Sequence, residues 1–169
     1  MKKDVLLLML FFVFSVAIAK PATITWANTN GGDWNIATNW TPAQVPVSGD
    51  NVIITTNGTY TVTNGNSATL GNLTLGGTNG IQTLTLSSLT LTNIGLVNSN
   101  GIFNWNGGEV DVALTVAPGG VLNITNNTTY TIYGSLTNNG TVNWLAGTIY
   151  GYGPPSYNGL IYNAGLWNA

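Results

Sequence analysis

Cysteine, histidine and arginine are all missing from these 169 residues, and charged side chains make up only 5% of them. Without cysteine the fold is not held by disulfides, and a chain of this length has core enough to do without them. Without a basic patch there is no electrostatic footprint for phosphate backbones, so neither nucleic acid nor an anionic membrane is expected as a partner. Without histidine or arginine the chain lacks the commonest general base and a clamp for acidic substrates. No cofactor is expected, and no metal centre.

Long apolar runs are also scarce. The only one, residues 5–18, follows Lys2 and Lys3 and leads into Ala17-Ile18-Ala19, the small-residue pattern of a cleavage site. This predicts a secretory signal peptide over residues 1–19, and with it an extracellular or cell-surface protein. The run is shorter than the ~20 apolar residues of a spanning helix, so membrane insertion of the mature chain is not expected. Cleavage after Ala19 removes Lys2, Lys3 and Asp4 and takes the net charge from −2 to −3. The mature charges are then Lys20, Asp33, Asp50, Glu109 and Asp111.

What the chain does have is Asn, Thr, Gly and aliphatic residues in short alternating runs, which argue for folding rather than disorder. One phrase recurs: a glycine, two residues of which the second is apolar, then an asparagine. It begins at Gly101, Gly120, Gly140 and Gly165, at spacings of 19, 20 and 25 residues. Such a period marks a solenoid, whose coils bury their apolar faces by stacking. Strand alternation puts Phe103, Leu122, Val142 and Trp167 on one face with Trp105, Ile124 and Trp144. Asn104, Asn123, Asn143 and Asn168 fall on the other, where stacked amides can hydrogen-bond into a ladder. Asn-Gly turns also fit the hairpins of an antiparallel sandwich, but the shared register of the apolar position favours coils. At about twenty residues per coil, residues 51–169 form roughly six coils, a stack near 30 Å tall.

Residues 20–50 read differently. Trp26, Trp34 and Trp40, set among Gly-Gly-Asp and Pro-Val-Ser-Gly-Asp turns, predict an irregular cap over the first coil. The pattern Trp26, Gly32-Asp33-Trp34, Ala37, Asn39-Trp40, Val45-Pro46, Gly49-Asp50, Val52-Ile53-Ile54 resembles the opening segment of large secreted bacterial surface proteins. These are built on right-handed parallel, pectin-lyase-like β-helices, and they include proteins with autotransporter-associated β-strand repeats. The resemblance implies an all-β, right-handed parallel β-helix displayed outside the cell, often in adhesins. It does not imply activity. Members are typically much longer and end in a membrane barrel or sorting segment; the fourth phrase here stops at Asn168-Ala169. A fragment of a longer protein is expected, or end-to-end self-association through that open coil.

Candidate site residues are few. Glu109 and Asp111 are the only close acidic pair of the mature chain. On one strand face they lie roughly 7 Å apart, in the range of inverting glycosidases. With no base or clamp beside them, solvated turn carboxylates or a weak calcium site fit better. Asp33 and Asp50 read as turn residues. Trp105 and Trp144 are sugar platforms if they face outward, but their position matches aliphatic residues in the other copies, which favours burial. Thr59-x-Thr61-x-Thr63, Thr83-x-Thr85 and Thr90-x-Thr92 resemble the threonine arrays of ice-binding solenoids but find no matching series in later coils. The longest coil contains Tyr150, Tyr152 and Tyr157 around Gly and Pro, either a ligand-contact loop or tyrosines packed on the coil below.

The function expected is a structural or adhesive β-helix segment without catalysis of its own, with glycans or other surface proteins as partners. The alternative is the non-catalytic N-terminal part of a carbohydrate-active β-helix enzyme, a polysaccharide lyase or glycoside hydrolase.

Overall fold

Apolar residues at every second position give strands with one buried and one open face. In a computed structural model, which describes residues 20–153 and 158–169, such strands wind into a parallel β-solenoid of about five turns. A typical coil has three strands. The first side holds Gly101–Trp105, Val121–Ile124, Thr141–Trp144 and Leu166–Asn168. The second holds Gly108–Val110, Thr129–Ile132 and Thr148–Gly151. The third holds Asn51–Ile54, Asn72–Leu75, Ile94–Val97, Ala113–Val116, Ser135–Asn138 and Leu160–Asn163. Earlier, Tyr60–Leu70 and Gln82–Leu91 each run through the first and second sides as one strand.

Each strand pairs in parallel with its counterpart one coil away, so the antiparallel sandwich is excluded. The expected register is observed: Leu122 lies beside Phe103 and Val142, and Val142 beside Trp167. The turn count falls short of six because several coils are longer than twenty residues, with the Asn51–Asn72 side-chain pair 21 residues apart and the Asn72–Ile94 contact 22.

The repeated glycine has a steric cause. A Cβ on Gly101 would lie 2.7 Å from the Leu75 carbonyl oxygen, and one on Gly120 2.5 Å from that of Val97. At Gly140 and Gly165 it would meet the carbonyl oxygens of Ala117 and Gly140. The chain turns so close to the preceding coil that no side chain fits.

The tryptophan-rich segment begins as part of a coil and ends as a lid. Thr23–Trp26 pairs in parallel with Asn51–Ile54, and Gly32–Asp33 with Val62 and Thr63. The chain then reverses, and Trp40–Thr41 pairs antiparallel to Thr23–Trp26, closing the third-side sheet. Trp26, Trp34 and Trp40 are buried, and Trp40 meets Trp26 and Trp34 edge-on with ring centres 4.8 and 4.7 Å apart. Two of the indole N–H groups are provided for: Trp26 donates to the Asn28 carbonyl and Trp40 to that of Trp34.

Candidate functional site

Two sequence candidates some forty residues apart lie in line on the second side. Glu109 points outward from Gly108–Val110, in register with Thr90 on one neighbouring coil and Thr131 on the other. Thr131 in turn pairs with Tyr150 of Thr148–Gly151. Where the second side turns toward the third, Asp111, Tyr133 and Tyr152 occupy the same corner of three successive coils. Their backbone N–H groups donate to Leu91, Val110 and Ile132 respectively, at 2.9, 2.9 and 3.0 Å. The acidic pair and the tyrosines thus form adjoining columns along the solenoid axis.

The rings support one another. Tyr152 stacks on Tyr133 of the coil below, with centres 4.9 Å apart and planes 25° from parallel. Tyr150 meets Tyr152 at 5.0 Å and 63°. Tyr152 therefore packs on the coil beneath it, while Tyr150 remains 53% exposed. Tyr157 lies outside the described residues. The Glu109 carboxylate receives one long hydrogen bond, 3.4 Å, from the Thr90 hydroxyl. This arrangement offers hydrogen-bond acceptors, hydroxyls and an aromatic edge. Among the described residues no group of three His, Cys, Asp or Glu side chains is placed to hold a metal ion.

Sequence inspection passed over Tyr133. It lies outside the glycine–asparagine phrase, which marks only the first side; aligning the coils on their second strands would have placed it beside Asp111 and Tyr152.

The remaining candidates have structural roles. Asn123 donates from Nδ2 to Asn104 Oδ1 at 2.8 Å, Asn143 to Asn123 at 2.7 Å and Asn168 to Asn143 at 2.7 Å. Asn104 itself donates to the Thr85 hydroxyl at 3.0 Å, so the ladder is continuous over five coils. Trp105 is buried, and Trp144 is half-buried, its indole N–H donating to the Gly147 carbonyl. The Asp50 carboxylate is buried and accepts the N–H groups of Ala22 and Val47, fastening the start of the first strand; Asp33 accepts from Asn35 in a local turn. Thr61 and Thr63 lie beside Thr83 and Thr85, but the next coil continues with Ile102 and Asn104, so the array spans two coils.

Hollows open on the surface of the described residues. One of about 220 Å³ lies between the lid and the second side, lined in part by Trp34, Asn35, Val47, Asn64 and Thr69. Another, of about 400 Å³, is bounded by Thr55, Gly76, Gly77, Thr78, Asn98 and Ser99. No helix among the described residues is long and apolar enough to cross a membrane. No family model matches the chain, and neither a curated protein nor a solved structure matches it.

Proposed function

We propose that this chain is a structural and adhesive β-solenoid, secreted or held at the cell surface, of the kind its opening segment resembles, and that it catalyses no reaction itself. The observation that carries this is the asparagine ladder. Its side chains lie on the outer surface, where a site would have to be, yet they hydrogen-bond to one another from coil to coil. Such a row stiffens a rod and presents a polar, uncharged flank, which suits display and contact better than turnover. Glycans or other surface proteins are the partners this surface fits.

A glycan-array screen of residues 20–169, run beside an assay for newly released reducing ends, tests it. Binding without release of product is expected. Release of reducing ends, or of unsaturated sugars, would favour a carbohydrate-active enzyme instead.

A further inference from the structure

We infer that the second side carries a subsite for a neutral, hydroxyl-bearing polysaccharide, laid along the column Thr69, Thr90, Glu109, Thr131 and Tyr150. This rests on the adhesive function proposed above and names its ligand class.

These five residues are neighbours on successive coils. Every one can hydrogen-bond, whereas aliphatic residues interrupt outward columns on both other sides: Ile53 and Leu96 on the third, Ile102 and Val121 on the first. The asparagine column is polar throughout, but its amides are engaged with one another. On the second side the capacity is left over. The Thr69 and Thr131 hydroxyls make no hydrogen bond to described residues, and Thr90 makes only the long one to Glu109.

Spacing favours a polymer over a single sugar. Successive coils advance by about 4.8 Å, close to the advance per sugar of an extended polysaccharide, so consecutive residues of one chain meet equivalent positions. The column also runs toward the hollow beside the lid, since Thr69 lines it. At the other end stands Tyr150, half-exposed and braced by Tyr152, which is itself stacked on Tyr133. A ring held in place loses little freedom when a sugar packs on it.

Charge selects among glycans. The Glu109 carboxylate accepts hydrogen bonds from sugar hydroxyls and repels uronic acids. The sole cation of the described chain is Lys20, in the lid segment, so an acidic polymer finds no partner along this column.

Affinity electrophoresis of residues 20–169 tests the inference, in gels cast with arabinoxylan, hydroxyethylcellulose, galactomannan or polygalacturonate. Retardation is expected in at least one neutral polymer and not in polygalacturonate. Tyr150→Ala should weaken it about tenfold or more, Glu109→Ala less, and Tyr150→Phe should retain most of it. Thr115→Ala, on the third side, should leave it unchanged. Retardation by polygalacturonate, or neutral-polymer retardation that survives Tyr150→Ala in a protein of unchanged circular dichroism, overturns the inference. If the Tyr150→Ala and Glu109→Ala variants bind glycans on the array as the parent does, the column is wrong while the adhesive function stands. A parent chain bound by no glycan and no surface protein ends both.

Discussion

The two ends of the solenoid carry the same kinds of residue in different circumstances. At the first coil Trp26, Trp34 and Trp40 are no more than 2% exposed, interlocked edge to face. At the last, Trp144, Ile149 and Trp167 are only partly buried against the core, and Ile161 is 46% exposed. The inward-facing pattern of the sequence is alike at both ends. The difference shows that a coil's own strands cover its apolar side chains only from the side. Cover along the axis comes from a neighbouring coil or from a lid, and here the lid includes a strand turned back antiparallel.

Substituting the tryptophans is the most direct way to break this comparison. Trp34→Ala should cost about 3–5 kcal/mol, as for a buried aromatic residue, whereas Trp167→Ala should cost about 1 kcal/mol or less. Urea unfolding of both variants measures the gap. Equal losses would mean that the lid adds nothing.

Alkali probes the lidded end next. Tyr60, 5% exposed and stacked near Trp26, has its phenol pushed up to about 12 by burial, partly offset by its hydrogen bond at Thr56. The fold favours the neutral form. Its contribution is therefore complete below pH 10 and is lost as pH rises from 10 through about 12. The loss should reach about 2–3 kcal/mol. Tyr60→Phe should lessen this dependence, leaving the part that Tyr130, also raised by burial, adds in the same direction, and a melting temperature falling as steeply in the variant would refute the assignment.

The repeated glycine sharpens the contrast between interior and end. Gly120→Ala drives a methyl group into the Val97 carbonyl and should cost about 1–3 kcal/mol. Gly165→Ala meets the Gly140 carbonyl, but its coil has a described neighbour on one side only and can shift outward, so thermal unfolding should show a smaller loss.

The ladder gives the smallest effects. Asn123 both donates and accepts, so Asn123→Ala should cost about 1–2 kcal/mol, and Asn168→Ala, with one such bond, about 0.5 kcal/mol. A loss at Asn168 as large as that at Asn123 would show that the rungs do not act through their neighbours.

The first side was legible because it carries a phrase with a cause at each position: glycine for the close approach, an apolar residue for the core, asparagine for the ladder. The other sides have no such signature, and there the errors lie. An Asn-Gly pair such as Asn64-Gly65 has the chemistry of a turn between strands. Instead the strand continues through it with a register shift, while the Asn64 side chain turns inward and accepts the Asn66 N–H and a hydrogen bond from Asn35. A local turn signal was absorbed by a coil already fixed by its neighbours. The column from Glu109 through Thr131 to Tyr150 likewise escapes the phrase, because coil length between the phrases varies and only an alignment of the second strands brings it out.

The asparagine row also has a polarity. Asn104, Asn123 and Asn143 each donate toward the lid and accept from the coil beyond, so their carbonyl dipoles point the same way down the rod and add, as peptide dipoles do in a helix. None of these three can rotate half a turn alone without setting nitrogen against nitrogen toward the coil beyond. The row is therefore a single vector quantity, which reverses as a whole or not at all, and it gives one flank of an almost chargeless molecule a direction.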